Sequence, residues 1–186
     1  MKLLIYLFLV CIFYSCNEYG SKISTKSESD ETIVMDLLQM LKQLEENHDS
    51  VNFNLLVHDQ LGLHFISESE SKIQLDLIDN YSELNVPEGI FQFKMIETGE
   101  LPKLICEGIN KYGEHGFYCG TNNSLLEEQH ILLNAVHESH QVALGNIISS
   151  IEVSAIKTSG NVTSYYFSKV DGKWYITFLD LRDPCD

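Results

Sequence analysis

The sequence predicts an α+β fold in which one mostly antiparallel, curved sheet is joined by an N-terminal helix and by a second long helix ahead of a C-terminal β-meander. Three observations predict it. Apolar residues recur at three-and-four spacing over Thr32–Asn47 and again over Ser124–Asn146, the period of a helix with one buried stripe. Between and after these stretches lie short alternating segments bounded by Gly, Pro and Asn, which read as strands and turns. The chain ends on Asp171-Gly172 between two aromatic-rich runs, a strong hairpin signal.

In chain order, the first helix carries Ile33, Val34, Leu37, Leu38, Leu41 and Leu44 on one side, with Asp30 as its expected N-cap. Asp49 and Ser50 break the pattern. Val51–Phe65 reads as two short strands about a turn near Asp59–Gly62, and Lys72–Ile78 alternates cleanly as a further strand. Gly89–Glu97, Leu101–Cys106 and Gly116–Gly120 have strand composition. The second helix opens at Ser124, with Glu127 at the capping-box position, and its expected core face is Leu125, Leu132, Leu133, Val136, Ala143, Leu144 and Ile147. Ile151–Lys157, Val162–Val170 and Lys173–Leu181 form the meander.

Ahead of this domain, Lys2 is followed by an apolar run from Leu3 to Tyr14 and then by Ser15-Cys16. A positive start, a short apolar stretch and a small residue before the cut are the parts of an export signal, and the run is shorter than the ~20 apolar residues that span a bilayer. The window Phe13-Tyr14-Ser15-Cys16 resembles the lipobox of bacterial lipoproteins, in which the cysteine receives lipid and becomes the first mature residue. The alternative is an ordinary signal cut elsewhere. The resemblance implies lipidation at Cys16, attachment to the membrane through that lipid, and residence in the bacterial cell envelope, at the outer membrane or on the periplasmic face. Residues 16–31 are rich in Ser, Glu and Lys, too polar to offset their ordering entropy by burial, and read as a tether. The expected organisation is a leader over 1–15, a tether over 16–31 and one domain over 32–186, a size that supports a real core.

The formal net charge is −15 over 186 residues, and loss of the leader, whose one charge is Lys2, makes the mature chain more negative still. Such a chain repels phosphate backbones, so nucleic acid is a disfavoured partner. The acid reads either as a solubilising surface or as attraction for a cationic protein partner. It is spread along the chain, as in Glu68-Ser69-Glu70 and Glu127-Glu128, and shows no EF-hand spacing. No nucleotide fingerprint, phosphate loop or G-x-S-x-G elbow is present, and no metal or cofactor is implied.

In an oxidising compartment, Cys106, Cys119 and Cys185 are the cysteines left to pair. Cys106 and Cys119 flank the Gly-rich segment EGINKYGEHGFY and form the favoured bridge. Cys185 is either free or a competitor for one of them. His130, His137 and His140 lie on the second helical stretch, with His140 expected in the apolar stripe. His137-Glu138-Ser139-His140 is not the H-E-x-x-H of zinc proteases. It reads as a candidate acid/base pair, or as a core histidine beside solvent-facing ones.

The last hairpin, SYYFSKVDGKWYITFLDL, resembles the closing hairpin of the NTF2-like (SnoaL-like) cone fold, whose aromatic residues line a curved sheet around a pocket. The same segment is similar to the ends of small bacterial lipoproteins of unassigned activity. The first resemblance makes Tyr165 and Trp174 candidate pocket residues together with His137 and His140. Two functional readings follow. The leading one is a non-enzymatic, lipid-anchored binding or interaction module of the envelope, with no cofactor. The alternative is a small-ligand binder or hydrolase whose pocket is lined by the C-terminal hairpin and the helix histidines.

Overall fold

The computed structural model describes residues 29–78, 90–91, 104–106, 116–121, 123–158 and 162–185. The expected leader, Cys16 and nearly all of the tether lie outside them. Of the strands expected over Gly89–Glu97 and Leu101–Cys106, only residues 90–91 and 104–106 are described, and neither piece is a strand.

Helix α1 runs over Asp30–Glu46, starting earlier than Thr32. Its cap is Ser29 rather than Asp30: the Ser29 hydroxyl accepts from Thr32 N–H at 3.3 Å. Asp30 instead occupies the first turn, where a carboxylate favours the helix dipole, and pairs with Lys169 at 3.0 Å. Val34, Met35, Leu38 and Leu41 are buried, as the apolar period requires.

The first of the two strands expected in Val51–Phe65 is a helix. Asp49 accepts from Asn52 N–H at 3.1 Å and opens α2, Ser50–Asn54. V-N-F-N-L alternates like a strand, yet local side-chain bonds to the backbone win here. Phe53 turns inward while Val51 and Leu55, four apart, stay exposed. The chain then turns, and β1 begins only at Leu63.

Strands β1 (Leu63–Ser69), β2 (Lys72–Ile78), β3 (Phe117–Gly120), β4 (Ile151–Lys157), β5 (Thr163–Val170) and β6 (Lys173–Asp180) form one six-stranded mixed sheet in the order β2-β1-β6-β5-β4-β3. The pairing of β1 with β6 is parallel, with Ile66 opposite Asp180; the other four pairings are antiparallel. Asp171 and Gly172 both take positive φ at the β5–β6 turn, matching the strand twist.

The single long helix expected over Ser124–Asn146 is three short ones: α3 (Ser124–Glu127), α4 (Gln129–Asn134) and α5 (Glu138–Ser149). Asn123, not Ser124, holds the cap position, without a side-chain bond, and the Ser124 hydroxyl is 2.8 Å from that of Tyr166. His137 adopts an extended backbone and caps α5 through Nδ1, which accepts from Ser139 N–H.

The sheet carries a core on each face. On one, Val34, Leu38 and Leu41 of α1 and Phe53 of α2 pack with Leu63, Phe167 and Ile176. On the other, Leu125, Leu132, Leu144 and Ile148 pack with Ile66, Tyr166 and Phe178. Two bulges make this possible. Register passes from Tyr166 opposite Phe178 to Phe167 opposite Ile176, leaving Thr177 as the extra residue. It also skips Glu152 between Ile151 and Val153. Residues two apart on a regular strand share a face, but the extra residue sends Phe178 and Ile151 to the face opposite Ile176 and Val153.

Candidate functional site

The residues singled out by sequence are not gathered in one place. Tyr165 and Trp174 are buried on the α1 face of the sheet. His137 and His140 are exposed on and beside α5, whose apolar residues cover the opposite face. The sheet therefore stands between the two pairs. His140 is exposed rather than in the core: it shares a helical side with the buried Leu144, Ile147 and Ile148, but it stands in the first turn after the cap at His137, where α5 has no buried residue before Leu144. His130 is exposed as well.

Tyr165 donates its hydroxyl to the Ile90 carbonyl, and burial, with the Glu45 charge second, pushes its ionisation far up. Lys157 reaches the same carbonyl at 3.4 Å, and burial lowers its pKa below the usual range. These two hold the Ile90-Phe91 turn on the sheet. Trp174 packs its ring under the Lys169 ammonium, 5.0 Å from the ring centre, a contact of roughly 1 kcal/mol.

The cysteines pair differently from expectation. Cys106 is bonded to Cys185, with Cα atoms 5.4 Å apart across a sequence separation of 79. Cys119 is a buried free thiol. It lies on β3, inside the sheet's α1-side core, while Cys106 is exposed. Desolvation, and then the Glu31 charge, push the Cys119 pKa up to about 12, so the thiol stays protonated and inert.

Among the described residues, a concave feature lies at the end of the parallel β1–β6 pair. Parallel neighbours end on the same side, so the β1–β2 turn and the segment after β6 lie together. Leu181 N–H extends the pairing by donating to Ile66 O at 2.9 Å. The cleft between them has a volume of about 580 Å³ and is lined by Glu68, Glu70, Ser71, Leu181, Arg182 and Asp183. Glu70 and Ser71 have φ of 52° and 60°, the left-handed conformation that a two-residue hairpin demands and that residues with a Cβ adopt at a cost.

Arg182 is the cleft's cation, and its charge is already matched. Nε donates to Asp180 Oδ1 at 2.9 Å, and Nη2 donates to Asp180 Oδ2 at 2.6 Å and to Glu128 Oε2 at 2.8 Å. The Asp180 hydrogen bonds foremost hold the guanidinium pKa above its ordinary value. Glu68 and Glu70 remain exposed at the rim, and Asp183 accepts from Cys185 N–H at 2.9 Å. The site is thus acidic despite its arginine. Among the described residues, no group of three or more His, Cys, Asp and Glu is placed to hold a metal ion, and no helix is long and apolar enough to cross a membrane.

Sequence reasoning missed this site. Glu68-Ser69-Glu70 is visible as an acidic stretch, but nothing in the sequence sets it beside Arg182 and Asp183, because that needs the parallel pairing of strands distant in the chain. Comparison with known protein families, curated proteins and solved structures yields no match to this chain.

Proposed function

We propose that this chain is a lipid-anchored protein of the bacterial cell envelope, kin to the small lipoproteins its C-terminal segment resembles, and that it acts as a non-enzymatic binding module for a cationic segment of a partner protein. The reading rests on the address at residues 1–16 and on the acidic balance of −15. One observation carries it: the arginine of the cleft is neutralised by Asp180 and Glu128, while Glu68 and Glu70 stand exposed at its rim. A lysine or arginine side chain entering there meets exposed carboxylates, and such rim charges govern encounter and salt dependence. The bulges at Glu152 and Thr177 support the finer reading of a curved sheet, since bulges bend the strand that holds them.

Calorimetric titration of the full lipidated chain in detergent with an oligolysine peptide tests the binding reading. Affinity should fall steeply with added salt, and E68Q/E70Q should weaken it by roughly tenfold. Equal affinity in wild type and E68Q/E70Q would refute the cleft as the binding site. Metabolic labelling with palmitate, lost in Cys16→Ala, tests the anchor.

A further inference from the structure

We infer that the Cys106–Cys185 bond is a redox latch on the acidic cleft, opened by a dithiol reductant, which releases the wall that holds Asp183. The inference rests on the reading of the cleft as a cation site and supplies its regulation.

Past Asp180 the chain leaves the sheet. Among the interactions that hold its last residues are the Leu181 N–H on Ile66 O, the Arg182 guanidinium on Asp180 and Glu128, and the disulfide at Cys185. The first two fix residues 181–182. The bond adds a covalent tie beyond them, next to the site, because Cys185 N–H donates to the carboxylate of Asp183, a lining residue of the cleft that also has a further partner. None of residues 182–185 belongs to either hydrophobic core, so the latch is not a staple through the centre of the fold.

The bond is also placed to be reached. Cys106 is exposed, and the two residues before it, Leu104 and Ile105, are 36 % and 45 % exposed, an apolar approach for a dithiol protein. The remaining cysteine of the described residues cannot intercept the exchange, since Cys119 is buried under α1, its sulfur directed at the Glu31 carbonyl. In the reaction, a thiolate of the dithiol attacks Cys106 Sγ and forms a mixed disulfide, while Cys185 Sγ leaves and takes up a proton. The second thiol of the reductant then attacks its own sulfur in the mixed disulfide and frees Cys106, which is protonated in turn. Two electrons and two protons pass to the protein, and the dithiol becomes a disulfide.

The test uses the full chain and three readouts: mass-spectrometric thiol labelling, far-UV circular dichroism and oligolysine affinity, each before and after dithiothreitol and again after reoxidation. Labels are expected on Cys106 and Cys185 and not on Cys119, with secondary structure retained. Oligolysine should bind at least threefold more weakly, with recovery on reoxidation, and C106S/C185S should match the reduced protein. The latch is overturned if the bond resists dithiothreitol until the chain is denatured, if opening it unfolds the sheet, or if affinity does not change. An oxidised protein that fails to bind oligolysine would defeat the reading of the cleft instead. Hydrogen exchange then decides the latch separately: amides 183–185 unaffected by reduction would overturn it, and faster exchange confined to them would sustain it.

Discussion

Arg182 is clamped to Asp180 by two parallel hydrogen bonds, Nε to Oδ1 at 2.9 Å and Nη2 to Oδ2 at 2.6 Å. The two side chains are only 15 % and 10 % exposed, so the pair is largely withdrawn from water. Its fork geometry is one that lysine cannot reproduce. It ties the end of β6 to the helical layer through Glu128, and Arg182 lines the cleft.

Breaking that pair should cost more than losing a surface ion pair. Arg182→Met leaves Asp180 uncompensated in a poorly hydrated site and should lower stability by about 3 kcal/mol. Adding Asp180→Leu should recover part of the loss. Urea denaturation of the two single variants and the double variant checks this, and strictly additive effects would show that the residues are not coupled.

The cysteine assignment makes opposite predictions for two substitutions. Cys185→Ser removes a cross-link with a separation of 79 and should reduce unfolding stability by roughly 4 kcal/mol. Cys119→Ala, filling the same core position with a smaller apolar side chain, should cost only about 1 kcal/mol. No described cysteine of the native protein should take an alkylating label at pH 8, since Cys119, the one free thiol among them, is buried with its pKa pushed up to about 12. Labelling of Cys119 in the folded state would contradict the placement of β3.

Alkali should destabilise the fold. Cys119 and Tyr166 are both pushed up to about 12 by burial foremost, from ordinary values of 9.0 and 10.0, and Tyr165 is raised further. A raised folded-state pKa means that the unfolded chain loses its protons first. The stabilisation is therefore whole below about 9 and drains away as pH climbs towards about 12. Lys157 runs the other way, its ammonium being disfavoured by burial, so the same climb relieves its cost. Three acids outweigh one base. Thermal melts from pH 8 to 11.5 should show a falling midpoint, and Tyr166→Phe should flatten the fall while giving up the Ser124 hydrogen bond.

The turn that forms the cleft lip can be relaxed. Ser71, at φ 60°, is held in a conformation that glycine adopts freely, so Ser71→Gly should raise stability by roughly 0.5 to 1 kcal/mol. Gly62→Ala should do the reverse. Gly62 has φ +67°, and a Cβ there would run into Leu77 Cδ1, for a loss of about 1 to 3 kcal/mol. Calorimetric melting of each variant distinguishes the two signs.

The parts of the fold legible in the sequence were those fixed by short-range periodicity. The α1 stripe of Val34, Leu38 and Leu41, the strand Lys72–Ile78, and the meander with its Asp171-Gly172 turn all appear where their spacing places them. Misreadings arose where a local bond broke the period. Asp49 made a helix out of an alternating run. The break at His137 left His140 in an exposed first turn, ahead of the buried Leu144, Ile147 and Ile148. The two bulges were invisible for a related reason, since an extra residue shows only against the strand it pairs with.

Spacing along the chain was enough to say which residues alternate, which recur at helical spacing and where glycine permits a turn, because these depend on near neighbours. Tertiary structure alone decided that β1 lies parallel to β6, that Cys185 rather than Cys119 meets Cys106, and that Glu68 and Glu70 stand beside an arginine whose charge is already matched. Each of these joins residues far apart in the chain, with a reward that comes from burial and charge pairing on closure, and linear spacing carries no record of which distant partners a closing sheet will bring together.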